Sequence, residues 1–574
     1  MTEITLPQRP VRQFIPENFT VTTWEAIKPF TDALLERSIA SKEELVQWLR
    51  DRSELESILS EDMGWRYVRM TCYTDNKEYS ESYQSFVQHI QPNLAPVSDQ
   101  LNRKVLSSPA LIFLEKEEGY SILIRHLKKE TELFREENVP LFTEITTLTQ
   151  EYSQISGAMT IDVEGKEITL PQANVLLQST DRNKREEVYQ KISARRLQDK
   201  DPLNDLFSKL IQLRHRVALQ AGFVNFRDYM FKAYGRFDYT PQDCFDFHEA
   251  IATEVVPVVN ELALERKRKL QVKALRPWDK AVDPEGRPAL VAFNGGKDLT
   301  DKSITCFKRM DAYLGDCLTT MDRMGHLDLE SRKGKAPGGY NYPLAEIGVP
   351  FIFMNATSTM RDMTTLMHEG GHAIHNFLTK DLILNDFKSP PMEVAELASM
   401  SMELLSMNHW DVFFPLESDC KRAKHEQLED IIETLPWVAT IDKFQHWMYE
   451  HPSHSLEERK REWTSIFDHF SDTVTDWNGL EETKQYLWQK QLHLYEVPFY
   501  YIEYGMAQLG AIAVWRNYTK NPQKGLQDYL NALKLGNLRT IPEVYQAAGI
   551  RFDFSRSYIR ELMAFVKTEL RSIS

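Results

Sequence analysis

The chain has 574 residues, 42% of them apolar and 11% aromatic, which supports an extensive core and excludes a disordered polypeptide. Lys and Arg number 69 against 84 Asp and Glu, and the resulting net charge of −15 disfavours a nucleic-acid binder that works by neutralising phosphate. Length alone suggests three or four folding units of about 150 residues each.

The opening segment, MTEITLPQRPVRQFIPENFT, has no apolar stretch behind a basic start and does not read as a secretory leader. The longest apolar runs, such as 507–515, fall short of the roughly 18 residues that a membrane span needs, so no membrane partner is expected. Cys72, Cys244, Cys306, Cys317 and Cys420 are scattered with no C-x-x-C pair, which suits unpaired thiols in a reducing cytoplasm.

Most of the chain reads as helix. Leu45, Leu49, Leu55 and Leu59 recur among polar residues, and Leu141, Ile145, Leu148, Tyr152 and Ile155 step by three and four as one buried stripe does. Residues 159–170 break the pattern: Ile161 and Val163, then Ile168 and Leu170, alternate around Glu164-Gly165 and predict a β-hairpin. Ser179, Thr180 and Asp181 offer caps for a charged helix running past Tyr189. We place a boundary near residue 200, between an N-terminal helical region (1–200) and a catalytic region (201–574). The run Arg266-Lys267-Arg268-Lys269, beside Glu261 and Glu265, reads as a solvated helix face. After Gly338-Gly339, the β-branched and aromatic run IGVPFIFMN at 347–355 predicts a short strand.

The chemistry starts at His368-Glu369-Gly370-Gly371-His372. Positions four apart lie on one helical face, so His368 and His372 can offer imidazole nitrogens to one point, a two-tooth metal chelate. Leu366, Met367, Ala373, Ile374 and Phe377 imply burial, where unpaired polar side chains are costly. Gly370 and Gly371 each cost about 1 kcal/mol against alanine in a helix, so a neighbour too close for a Cβ is expected. His375 is a weaker alternative ligand, because a seven-residue step chelates less well than a four-residue step.

A catalytic zinc takes three protein ligands. The third is expected on the helix opened by Pro391, where Glu393, Glu396 and Glu403 share a face. Glu396 is central on that stripe, with Glu393 as the alternative. Small neighbours, Ala395, Ala398 and Ser399, would let this helix approach the histidine helix. Glu403, two turns on, is placed to accept a hydrogen bond from a ligand histidine, the competing reading being a solvent salt bridge. Glu369 is the expected base for the attacking water. Donors for an oxyanion are sought between His493 and Tyr504, where Pro498 is expected to open a helix carrying Tyr500, Tyr501 and Tyr504.

With these segments together, the sequence resembles the oligoendopeptidase F and thimet oligopeptidase family of zinc metallopeptidases. Matching stretches lie at 157–190, 327–340, 350–355, 362–375, 392–405 and 498–511, while the first 130 or so residues match only as generic helices. The resemblance implies a mostly α fold of two lobes around a deep substrate channel, with a small β-sheet near the zinc helix. It implies one zinc per chain held by His368, His372 and Glu396, Glu369 as general base, and oligopeptide substrates. It also implies that PFIFMN is an edge strand pairing with the substrate, so that Phe353 and Asn355 bind it, with Gly338, Gly339 and Tyr340 in a mobile loop nearby. His493 matches the histidine that precedes the family's tyrosines, and Tyr500, Tyr501 and Tyr504 all remain candidates for the oxyanion. The expected function is a cytoplasmic zinc endopeptidase of oligopeptides. Its rivals are a helical zinc carboxypeptidase, for which no lone carboxylate-binding arginine stands out, and a non-catalytic peptide-binding protein, against which the intact Glu369 speaks.

Overall fold

A computed structural model of the chain describes residues 5–332, 334–336 and 338–573. The Ser41 side chain accepts from the Glu44 N–H and so starts α1, Lys42–Cys72, whose predicted stripe Leu45, Leu49, Leu55 and Leu59 is buried. Helix α2 is Tyr120–Leu133. Apolar side chains from Ile15 to Leu127 form one core, to which Leu384 and Phe387 contribute from far along the sequence. A second, larger core runs from Leu133 to Leu570. At the junction of the two, Lys129 donates to the Ala233 carbonyl at 2.9 Å and the Arg125 guanidinium lies 4.2 Å from the Phe237 ring centre.

The predicted hairpin forms. Strands β1 (Thr160–Val163) and β2 (Lys166–Thr169) pair antiparallel, with Ile161 opposite Ile168. Glu164 and Gly165 both have positive φ, 57° and 78°, as a tight turn matching strand twist requires. Thr169 caps a short helix, Leu170–Leu176, and Asp181 caps the charged helix after it, Arg182–Gln198. Further on, Pro241–Glu254 forms α3.

The second sheet corrects one expectation. Strands β3 (Leu327–Glu330), β4 (Tyr340–Tyr342) and β5 (Phe351–Ala356) are ordered β3-β5-β4. PFIFMN is therefore the central strand, parallel to β3 and antiparallel to β4, and both of its hydrogen-bonding edges are used. Its residues Phe351 to Met354 are all buried, as the unbroken apolar run requires of a strand covered on both faces. The open edge next to it belongs to β4.

Two helices carry the site. The Thr359 side chain and Asp362 cap α4, Met360–Thr379, reciprocally. Helix α5, Met392–Ser406, is buried along nearly all of its length, as a central core helix must be, and its Glu393 and Glu396 are buried with it. Where α4 and α5 cross, a Cβ on Gly371 would lie 2.6 Å from the Ala398 carbonyl oxygen and the Ser399 Cα, and one on Gly370 would lie 2.6 Å from the Phe307 ring. The two glycines are thus close-approach positions, as their cost in a helix predicts. Helix α6 spans Glu417–Glu450 and α7 spans Ile502–Lys520.

Candidate active site

The α4–α5 crossing brings three donors together. His368 Nε2 lies 3.3 Å and His372 Nε2 3.7 Å from Glu396 Oε2, and the three donor atoms all fall within 4.8 Å of one another. The two imidazole rings stand edge to face, 5.0 Å apart. Glu393, the alternative on the same helix, accepts instead from Tyr239 Oη at 2.7 Å and faces Arg236. His375 is buried outside this donor group.

Neighbours fix these side chains. His368 Nδ1 lies 2.7 Å from Glu403 Oε1, so the expected carboxylate support is present and leaves Nε2 aimed at Glu396. Gln427 donates to the other Glu403 oxygen at 2.9 Å. Ser399 donates to Glu396 Oε2 at 3.0 Å, and Tyr500 Oη to Glu396 Oε1 at 2.5 Å. Burial opposes a charged Glu396, but His372, His368 and Tyr500 outweigh it and hold the carboxyl near 2. Burial takes His372 down to about 4, the neutral form in which an imidazole can ligate. Glu369, 7% exposed, is pushed up to about 7 by burial, and the backbone of Asn341 on β4 faces its carboxylate.

The tyrosine segment departs from its expected geometry. Pro498 does not open the helix; α7 begins at Ile502, because Phe499 takes a left-handed conformation with φ 66° and turns the chain first. The Phe499 N–H donates to Gln445 Oε1 at 2.5 Å, Arg236 donates to its carbonyl, and its buried ring packs against His446 and Tyr449. This turn delivers Tyr500 to Glu396. Tyr504, in the first turn of α7, meets His493 Nε2 at 3.2 Å and lies within the electrostatic reach of Glu396 and Glu369. His493 Nδ1 is in turn 2.7 Å from the Gln491 amide. Tyr501 packs its ring 5.0 Å from that of His493, but its charged neighbours are Arg361 and Asp430.

The remaining expected residues lie around β4. Tyr340 stacks on Phe353 with ring centres 4.8 Å apart and hydrogen-bonds Thr71 of α1 at 2.6 Å. Phe353 is fully buried beneath it, and Asn355 donates to the carbonyls of Ala336 and Gly338 at 2.7 and 3.0 Å. These three side chains build and hold the loop. Gly338, at φ +98°, supplies a turn open only to glycine-like conformations, and Gly339 passes over the Phe353 carbonyl.

Sequence reasoning missed Asn341. Its side-chain amide is buried without a hydrogen-bond partner among the described residues, and it lines a cavity of about 360 Å³ together with Pro343, His372, Asn376, Met392 and Tyr500. A lone asparagine between two tyrosines carries no signal of its own; only the pairing of β4 with β5 brings it to the donors.

The fold is that of known helical peptidases. The chain superposes on PZ peptidase A with a TM-score of 0.92 at 24% identity, covering 98% of this chain and 99% of that one. A putative oligoendopeptidase F from Bacillus anthracis superposes with a TM-score of 0.86 at 24% identity, covering 97% of each chain. The sequence then narrows the class. Residues 175–286 and 314–564 match the model of peptidase family M3, and residues 14–134 match the peptidase M3 N-terminal domain. The chain belongs to peptidase family M3. An oligoendopeptidase F homolog of Borreliella burgdorferi is 22% identical over 71% of this chain and 70% of its own length. Oligopeptidase PepF of Bacillus subtilis is 22% identical over 54% of this chain and 46% of its own.

Proposed function

We propose that this peptidase is a zinc-dependent endopeptidase of oligopeptides. The reading rests above all on the three converging donor atoms of His368, His372 and Glu396; His372 lines the cavity, and Glu369 is close enough to feel the charges of His368 and Glu396. Two imidazoles and one carboxylate are a donor set that zinc takes in hydrolytic sites, and donor separations of 3.3 and 3.7 Å suit one ion. When bound there, the ion supplies Lewis acidity to the scissile carbonyl and to the attacking water.

The chain's own residues do the rest. Glu369 takes the proton of the attacking water and returns it to the leaving amine. Tyr504, oriented by His493, donates to the oxyanion that develops on the carbonyl. Tyr500 holds Glu396 in place through its hydrogen bond. The free edge of β4 pairs with the extended peptide, and the Asn341 amide meets a substrate backbone group; Gly338, Gly339 and Tyr340 shape this edge, while Phe353 and Asn355 support it from beneath. Among the comparisons, oligopeptide substrates accord with the oligoendopeptidase names of the relatives. We assign the enzyme to the cytoplasm, where the five buried, unpaired cysteines would stay reduced.

Metal analysis combined with mass spectrometry of products from peptides of graded length, with and without a chelator, tests the reading. Internal cleavage of short peptides, lost with the metal and restored by zinc, is the expected result. Release of single C-terminal residues, or cleavage unaffected by metal removal, would overturn it.

A further inference from the structure

A second group of donors lies outside the site described above. Cys244 and His248 are four residues apart on α3, and Asp442 and His446 are four residues apart on α6, so each helix turns a pair of side chains to the same side. The helices pack against each other, and the two pairs meet. All four residues are at most 1% exposed.

The distances resemble those at the first site. His446 Nε2 lies 3.3 Å from Asp442 Oδ2, the same separation as between His368 Nε2 and Glu396 Oε2. Cys244, Asp442 and His446 each offer a donor atom within 4.8 Å of the other two. His248 Nε2 lies 2.9 Å from Asp442 Oδ2 and keeps the carboxylate turned inward. Around the group stand the rings of Phe231, Phe245, Phe470 and Phe499, so no solvated surface explains its polarity. Asp442 Oδ1 and His446 Nδ1 have no hydrogen-bond partner among the described residues, and His446 Nε2 has only its 3.3 Å approach to Asp442 Oδ2. Polar atoms left unpaired in such surroundings are costly, and a bound ion would offset that cost at the atoms it takes as ligands.

We propose that Cys244, Asp442 and His446 form a second metal site, structural in role, for zinc or a divalent ion of similar softness. A thiolate, an imidazole and a carboxylate are together a borderline-soft set, unsuited to magnesium or calcium. On binding, the Cys244 thiol releases its proton to solvent as the sulfur–metal bond forms, and no electron is transferred. The ion would tie α3 to α6 directly beneath Phe499, whose ring centre is 5.4 Å from that of His446 and whose N–H is held by the adjacent Gln445. Its function would be to brace the turn that aims Tyr500.

The test separates the two sites. In His368→Ala/His372→Ala protein the first donor group is destroyed, and about one zinc per chain is expected to survive dialysis. Cobalt-loaded protein, wild type or double variant, is expected to show a thiolate-to-cobalt charge-transfer absorption, which the His/His/Glu group cannot produce. Adding Cys244→Ser should remove that absorption and the retained zinc while circular dichroism stays unchanged. A double variant that binds no zinc, cobalt-loaded wild type without the absorption, or an absorption that persists in Cys244→Ser would each overturn the proposal. The wild-type cobalt spectrum decides even where a variant fails to fold.

Discussion

Glu403 and His368, on different helices, meet through Glu403 Oε1 and His368 Nδ1 at 2.7 Å, and this contact fixes which ring nitrogen of His368 faces Glu396. Outer carboxylates of this kind orient a ligand histidine and raise its basicity. Glu403→Ala should therefore weaken zinc about 10- to 100-fold, read by competition with a chelator, while secondary structure is retained. An unchanged affinity would reduce Glu403 to a packing residue.

Glu369 is the group whose loss should separate binding from chemistry. Glu369→Gln preserves shape but cannot accept the water proton, so kcat should fall by about 10²–10⁴ at full metal occupancy. Measuring zinc content and turnover on the same preparation checks both halves. Substantial residual activity would move the base elsewhere.

The three tyrosines have different contacts and should behave differently. Tyr504→Phe should lower kcat about 10²–10³-fold with little change in KM, as the loss of one oxyanion donor does. Tyr501→Phe should stay within a few fold of wild type. Tyr500→Phe should act through Glu396, loosening the metal along with turnover. If Tyr501→Phe proves the most damaging of the three, the assignment of Tyr504 fails.

Gly371 tests the helix crossing. A Cβ there would sit 2.6 Å from backbone atoms of Ala398 and Ser399, which cannot swing aside as a side-chain tip can. Gly371→Ala should destabilise by about 1–3 kcal/mol despite alanine's better helix propensity, and should lower zinc content by moving Glu396. Thermal unfolding and metal analysis read the two effects, and a variant normal in both would show that the helices separate freely.

One pH dependence belongs to the junction of the two cores. Burial, together with the nearby Lys129 and Arg125, pushes the His126 imidazole down to about 4, against about 6.5 in an unfolded chain. The unfolded state takes up the proton first as pH falls. The contribution of neutral His126 is therefore complete above about pH 6.5 and lost as pH drops towards 4, by about 3 kcal/mol at most and less where water reaches the ring. Urea midpoints of wild type and His126→Asn, compared from pH 7.5 to 4.5, should converge on acidification; parallel curves would rule the effect out.

Much of the site was legible because its chemistry follows helical spacing. His368 and His372, then Glu396 and Glu403, are separated by whole turns, and the glycines between them announce a close neighbour. The hairpin was legible from alternation and from Glu164-Gly165. What escaped depends on partners distant in sequence. PFIFMN reads equally well as an edge or a central strand, since only the pairing of β3 and β4 on its two sides decides. Pro498 is a sound helix opener locally, yet the contacts of Phe499 with Arg236 and Gln445 postpone the helix to Ile502. Asn341 and the Cys244–Asp442–His446 group likewise exist only once separate elements are packed.

The left-handed Phe499 is held in place by its own burial. A bulky residue at φ 66° sits about 1–2 kcal/mol above its relaxed backbone state, and the surrounding contacts hold it there. Glycine at this position would relieve that strain but would empty the space of a fully buried ring, a loss of about 3–5 kcal/mol that outweighs the gain. One side chain thus anchors the core and sets the direction in which Tyr500 leaves the turn, so selection for stability and selection for turnover favour the same residue here.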